Sequence, residues 1–411
     1  MQTKNLSVSF EEARTIILDS IIPLSTETIS IQEASQRILF ENIISDIMIP
    51  AVDDSAMDGY AIIAADAQGA SQNHPVKLRV IGEVQAGGSV VGLNLSRGTA
   101  VRIMTGAPIP AGADSVVKFE DTEEEDGTVS IFHEASQYNN YRFAGENINI
   151  GNNLLKKGDR LKSADIGLLA SLNREKISVY RQPTVSIIST GDELADVGEP
   201  IGSGQIRNVN AYTLYSEVLK YSCLPDYLGI ARDNMNELKE MFVKAQKSDV
   251  IISTGGVSMG KYDYVRDIYA DLDIDIQFER VDVKPGSPCS FGKKGNQLIF
   301  CLPGNPVPTL TSFIEFVRPA LLKLMGATRI KKPIVSAVLE EDVRSAEIHH
   351  LMRGFFNIKN NEIHVSPTTN QKPSMLRSMS AANCLIILPE NVLRVKAGEK
   401  VAIELIDHDE I

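Results

Sequence analysis

Three short segments combine glycine with polar groups, and each follows an apolar run. They are Ser189-Thr190-Gly191-Asp192-Glu193-Leu194, the stretch STGGVSMGKYDY from Ser253 to Tyr264, and Leu302-Pro303-Gly304-Asn305-Pro306. In the first, adjacent carboxylates at the end of a strand suit a hard cation such as Mg²⁺. The competing reading makes Asp192 a helix or turn cap. In the second, Gly255, Gly256 and Gly260 let backbone N–H groups approach an anion at a strand-to-helix turn. Asp263 stands in the first turn of the following helix, where it also complements the dipole. The third places Asn305 as an N-cap and Pro306 at the first helical position. Arg232-Asp233 follows another apolar run, and Asp233 is read equally as a third rim carboxylate or as the cap of the helix NELKEM.

Cations gather near these segments. Arg280 and Lys284 occupy alternate positions of the run ERVDVKPGSP and so share one side of a strand. They suit an anion, although charged residues on an edge strand also guard against aggregation. Farther upstream, DDSAMDGYA groups Asp53, Asp54 and Asp58, and RIMTGAPIP sets Thr105-Gly106 in a turn. Spacing alone does not connect these two segments to the others. None of the six histidines falls in any of these segments, which argues against a Ser-His or Cys-His nucleophile and a histidine-based metal site. What remains is positioning and electrostatic chemistry at a phosphoester or phosphoanhydride.

The elements that must carry these segments follow from the hydrophobic pattern. Residues 183–327 alternate apolar runs with helical patterns, which implies βαβ units and a largely parallel sheet. Ligands of such sheets bind at the carboxyl ends of the strands. Residues 9–22 read as an amphipathic helix opened by a Ser9–Glu12 capping box, and residues 30–47 as a second short helix. Between residues 48 and 147 the β-rich runs KLRVIGEV, TAVRIM, DSVVKFE and TVSIF form a small β domain. A helix is expected at SADIGLLASL. From Lys331 onward the runs are again β, with a hairpin at Asn360-Asn361, and a small terminal barrel or sandwich is expected.

The 411 residues suggest two to four domains. A net charge of −12, from 41 basic and 53 acidic residues, speaks against a nucleic-acid or anionic-membrane partner. The four cysteines form no CxxC, and no signal peptide or membrane-spanning run is evident. A reduced, cytoplasmic protein is expected.

DDSAMDGYA, RIMTGAP, STGDEL, GIARD, STGGVSMGKYDY, DVKPG and LPGNPV occur in the order found in molybdopterin molybdenumtransferases. The whole chain thus resembles the MoeA family, which includes the E domain of gephyrin. The resemblance implies an α/β multidomain fold. A linker domain would be built from residues 1–47 and 148–180, with an inserted β domain at 48–147. A three-layer αβα domain would span 181–327 and a C-terminal β-barrel 328–411. It implies a homodimer whose active site lies between one subunit's αβα and barrel domains and the partner's β domain. It also implies insertion of molybdate into adenylylated molybdopterin with Mg²⁺-assisted release of AMP. The adenylyltransferase of the same pathway is a further expected partner. The implied catalytic set is Asp58, Asp192, Glu193, Asp233 and Asp263, with Asp192, Glu193 and Asp233 holding the metal. Substrate would be held by Thr105, Arg142, Gly255, Gly256, Ser258, Lys284, Pro303, Asn305, Pro306 and Arg353, the two arginines on molybdate or phosphate.

Three positions depart from the family pattern. Asn147 replaces an acid, Ser287 a second lysine, and Lys372-Pro373 a Gly-Ser pair, with Ser374 and Ser378 as candidate replacements for that serine. These departures motivate a second reading, a molybdopterin-binding carrier or scaffold, as gephyrin also is; the shared αβα domain separately suggests the preceding adenylyl transfer.

Overall fold

The structure is a computed structural model that describes residues 7–255 and 268–407. Its contacts divide the chain into two compact units. The first comprises Met1–Glu41, Lys157–Gly167 and Glu175–Ile411, and the second Asn42–Lys156 and Leu168–Arg174.

In the second unit the β-rich runs form a six-stranded sheet. Its order is Ser115–Lys118, Gly59–Ile62, Thr99–Ile103, Val76–Val84, Thr128–Ile131, Thr122–Glu125. Gly59–Ile62, absent from the sequence expectation, is buried along its length and pairs with strands on both sides. It gives no alternating signal because neither face meets water.

The first helix of the first unit is α1 (Phe10–Asp19). Its capping box is formed as expected: Ser9 N donates to Glu12 Oε2 at 2.9 Å, and Glu12 N donates to Ser9 Oγ at 3.3 Å. The helix expected over residues 30–47 is replaced by a single 3₁₀ turn, Ile31–Glu33. Beyond it the chain extends, because Ile38 and Leu39 bridge to Arg160 and Val179. Tertiary pairing there overrides a weak local preference.

The expected α/β alternation is present. Strands β1 (Thr184–Thr190), β2 (Leu224–Ala231), β3 (Val250–Thr254), β4 (Asp275–Phe278), β5 (Ser290–Lys294) and β6 (Gln297–Leu302) form one sheet in the order β2-β1-β3-β6-β5-β4. The first four run parallel, and β5 and β4 add an antiparallel edge. Helices α2 (Val209–Lys220) and α3 (Met235–Lys244) follow β1 and β2. After β6 the helix runs through α4 (Pro306–Ser312), a π turn (Phe313–Val317) and α5 (Arg318–Leu324).

A closed barrel follows, built from β7 (Ile334–Leu339), β8 (His349–Lys359), β9 (Glu362–Pro367), β10 (Cys384–Leu388) and β11 (Lys400–Leu405). Asn360 and Asn361, at φ 49° and 63°, make the expected β8–β9 hairpin. Met352, Val365, Ile386 and Ile403 fill the barrel, whereas Leu351 and Leu385 on its outer face join a core shared with α1, the sheet and the π turn. Among the described residues no helix is long and apolar enough to cross a membrane.

Candidate functional site

The parallel order β2-β1-β3-β6 brings four strand ends to one rim. Gly191 has φ +144°, and a Cβ there would lie 2.5 Å from the Glu193 carboxylate, so the chain turns tightly enough for Glu193 to fold back over it. Gly191 N donates to Ala231 O at 3.1 Å, and Gly255 N donates to Leu302 O at 3.2 Å. Gly255, at φ +84°, would place a Cβ 2.6 Å from Thr190 O. Thr190 Oγ1 completes the stack by donating to Thr254 O at 3.1 Å. The glycines therefore let three strand-end loops close on one another.

Asp192 caps no helix: its Oδ1 accepts from Asp233 N at 3.0 Å. Nor does Asp233 cap α3, a role taken by Asn234, whose side chain accepts from Asn236 N at 2.9 Å. Arg232 ties the two loops, its Nη1 donating to Asp192 O at 3.2 Å and to Leu194 O at 2.9 Å. Asp192 and Glu193 are exposed and Asp233 half-buried. Among the described residues no group of three or more His, Cys, Asp or Glu side chains is arranged to hold a metal. Asp192, Glu193 and Asp233 therefore form a rim and not a closed three-ligand shell. Gly256, Ser258 and Asp263 lie outside the described residues.

At the third loop Asn305 occupies the N-cap position, but its side chain makes no capping bond and is exposed. The turn is held instead by Thr309 Oγ1, which donates to the carbonyls of Pro303 and Asn305. Pro303 is buried and Pro306 opens α4. Helix α4 also touches the barrel: Val307 N donates to Pro373 O at 3.2 Å.

Arg280–Lys284 is a strand, as expected, with Arg280, Asp282 and Lys284 on its exposed face. Yet it joins the barrel sheet, pairing in parallel with His349-His350. Lys284 lies opposite His350, two strands of the same sheet from β10. Arg353 projects from the outer face of β8 and is 2% exposed. Its Nε donates to Ser378 Oγ at 3.2 Å, and its Nη2 to Asn370 O at 2.9 Å and Lys372 O at 3.3 Å. No carboxylate among the described residues pairs with it, and burial draws its pKa down to about 10. Burial, with Lys284, Arg353 and His349 nearby, takes His350 to about 4, so its imidazole is neutral at pH 7. Of the two candidate serines, Ser378 reaches Arg353, while Ser374 is exposed.

The second unit gathers the remaining residues. Asp58 is exposed, and its Oδ1 accepts from Thr105 N at 2.7 Å and Thr105 Oγ1 at 2.9 Å, bonds that hold its pKa below the usual carboxylate range. Arg142 is already engaged: its Nε donates to Asp54 Oδ1 at 2.6 Å and its Nη2 to Ser55 O at 3.2 Å. Its guanidinium thus has a carboxylate partner before any oxyanion arrives. Asn208, behind the first loop, had no distinguishing mark in the sequence, since its partners Ser189 and Tyr227 are distant along the chain.

Comparison with known proteins fits this geometry. Residues 8–173 match the MoeA N-terminal region (domain I and II), residues 186–323 a probable molybdopterin binding domain, and residues 336–406 the MoeA C-terminal region (domain IV). A molybdopterin molybdenumtransferase of Haemophilus influenzae is 37% identical over 98% of this chain and 99% of its own length. The chain belongs to the MoeA family of molybdopterin molybdenumtransferases. Another member, from Staphylococcus epidermidis, is 34% identical over 98% of this chain and 96% of its own. The crystal structure of the MoeA protein of Pyrococcus horikoshii OT3 aligns with a TM-score of 0.82 at 30% identity, covering 97% of this chain and all of that one. The strand-end rim lies within the molybdopterin-binding match and Arg353 within domain IV. Membership of the MoeA family makes this chain a transferase of molybdenum cofactor biosynthesis.

Proposed function

We propose that this chain inserts molybdate into adenylylated molybdopterin and releases AMP. The observation that carries the reading is the joining, in one unit, of an acidic strand-end rim with a buried guanidinium that has no carboxylate partner among the described residues. The glycine loops of β1, β3 and β6 form the cradle for the pterin phosphate and the adenylyl group. Exposed Lys284 meets phosphate charge, and Arg353, aimed by Ser378 and the carbonyls of residues 370 and 372, meets the molybdate oxyanion. Neutral His350 adds no repulsion between these cations.

The oxygen-only donors Asp192, Glu193 and Asp233 fit Mg²⁺ in the manner usual for that ion, with one or two carboxylates completed by substrate phosphate and water. Bound there, Mg²⁺ would neutralise phosphoanhydride charge. Asp192, fixed by Asp233 N, and Glu193, folded over Gly191, keep their carboxylates at the rim for this purpose. Asp58, oriented by Thr105, belongs to a site completed by a second copy of the chain, so the working unit is a homodimer. The pathway's adenylyltransferase would deliver the substrate. Purified protein given adenylylated molybdopterin, molybdate and Mg²⁺ is expected to release AMP. Glu193→Ala is expected to lower turnover more than substrate binding, and equal loss of both would remove Glu193 from the chemistry.

A further inference from the structure

The first rim loop is held at both ends by one residue and its partner Tyr227. Asn208 stands at the N-cap of α2 and is 1% exposed. Its Oδ1 accepts from Ser189 Oγ at 3.0 Å and from Ala211 N at 3.4 Å. Its Nδ2 donates to Tyr227 Oη at 2.7 Å, and Tyr227 in turn donates to Asp196 Oδ2 at 2.9 Å. The Asn208 backbone N–H reaches Ala195 O at 3.0 Å. Ser189 immediately precedes residues 190–194, and Ala195 and Asp196 immediately follow them. Asp192 and Glu193 lie inside that span.

Each bond in the chain fixes the direction of the next. Burial and the neighbouring Asp196 push the Tyr227 pKa up, so the phenol keeps its proton and gives it to Asp196. The phenol oxygen then has only lone pairs left for Asn208, and only the amide NH₂ can face it. The amide oxygen is therefore left for Ser189 and the helix N–H. Asp196 is held further by Tyr212, whose hydroxyl donates to Oδ1 at 2.8 Å. Arg207 Nη1 donates to Asp196 O at 2.6 Å. Strand residues Leu194–Ala195 pair in parallel with Ile206–Arg207, bringing the end of the loop to the residue before Asn208. The same helix start reaches the third loop, where Asn210 Nδ2 donates to Gly304 O at 2.7 Å. Outward-pointing carboxylates on a loop need such support, because a displacement of about 1 Å at a reacting centre costs roughly 100-fold in rate.

We propose that Asn208 is a positioning residue of the transferase site, clasping Ser189 and, through Tyr227, Asp196, so that Asp192 and Glu193 are held at the rim without Asn208 touching substrate. The proposal rests on the transferase reading given above. Its removal has a signature that a general loss of stability lacks. The loop loosens while the sheet beneath it stays closed, and turnover falls while pterin affinity does not.

Hydrogen exchange, AMP-release kinetics and Mg²⁺ titration of Asn208→Ala, Asn208→Asp and Tyr227→Phe test this. In the Ala variant without substrate, amides of residues 190–195 are expected to exchange at least about tenfold faster, with residues 185–188 unchanged. Its kcat is expected to fall about 10- to 100-fold with KM for adenylylated molybdopterin within about threefold, and its Mg²⁺ half-saturation to rise about tenfold. Tyr227→Phe, which removes only the downstream tie, is expected to fall between wild type and Asn208→Ala. The double variant should be no worse than Asn208→Ala alone. Asn208→Asp keeps an oxygen for Ser189 and should recover part of the loss. Unchanged exchange at 190–195 in Asn208→Ala, or in Tyr227→Phe if the first does not fold, overturns the clasp whatever the kinetics. Faster exchange with unaltered kcat and Mg²⁺ dependence overturns the positioning role and leaves the transferase reading standing. Absence of AMP release by wild type overturns the transferase reading and the positioning role with it, while exchange still decides the clasp.

Discussion

Arg353→Met separates the binding of an oxyanion from the stability of the barrel. Arg353 is 2% exposed and keeps its charge beside a hydroxyl and two carbonyls instead of a carboxylate. Its pKa of about 10 puts the cost of holding the cation at roughly 3 kcal/mol, at about 1.4 kcal/mol per unit. Methionine of similar length removes that cost but leaves the carbonyls of Asn370 and Lys372 without this donor, a penalty of about 1–3 kcal/mol each. The opposing effects largely offset one another, so unfolding free energy is expected to change by no more than about 3 kcal/mol. Molybdate use has no such compensation. Two charge-assisted hydrogen bonds at about 1.5–3 kcal/mol each amount to at least about 3 kcal/mol, which raises the molybdate concentration for half-maximal AMP-linked turnover about 100-fold or more. Turnover at varied molybdate and a thermal melt measure the two quantities. A rise below about threefold, or a collapse of stability with no change in molybdate dependence, would refute the assignment of Arg353 to the oxyanion.

Two further outcomes are expected. If Asp58 and Asp192 act in one site from different copies of the chain, each alanine variant alone is inactive, and an equal mixture reassembled as dimers regains about a quarter of wild-type turnover; no recovery in verified mixed dimers contradicts a shared site. Glu315 and Glu404 are buried against each other, each with an Oε1 that has no hydrogen-bond partner among the described residues, facing Arg14 and Arg318, with Lys332 also near Glu404. Burial raises both pKa values, so the folded state holds protons that the unfolded chain has lost. That stability is complete below the ordinary Glu pKa and is lost as pH rises through the raised values, by up to about 1.4 kcal/mol per pH unit for each proton. Glu404→Gln should flatten this loss in denaturant titrations between pH 5 and 9, and an unchanged slope would show that Glu404 takes up no proton on folding.

The rim was legible because its signals are local. At Ser189–Leu194 and Gly229–Asp233 an apolar run, a glycine and a carboxylate lie close together, while the loops after β3 and β6 are marked by glycine, and parallel topology places such loops together. The hairpin at Asn360-Asn361 and the capping box at Ser9 are equally local. What escaped the sequence depends on long-range pairing. The strand bearing Lys284 lies in the barrel sheet because it pairs with His349-His350, about 66 residues on. Asp54, the partner of Arg142, is separated from it by 88 residues. Asp233 read equally as a rim carboxylate or as the helix cap; the cap proves to be Asn234, while the Asp233 backbone N–H bonds Asp192. Ser378 became distinguishable from Ser374 once a short helix, Leu376–Ser380, turned it toward Arg353.

The most direct test combines the purified protein with adenylylated molybdopterin, Mg²⁺ and molybdate and follows nucleotide release. AMP appearing in step with molybdate incorporation, and depending on both Asp192 and Arg353, is the predicted result. Bound adenylylated molybdopterin that yields no AMP under these conditions would contradict the account.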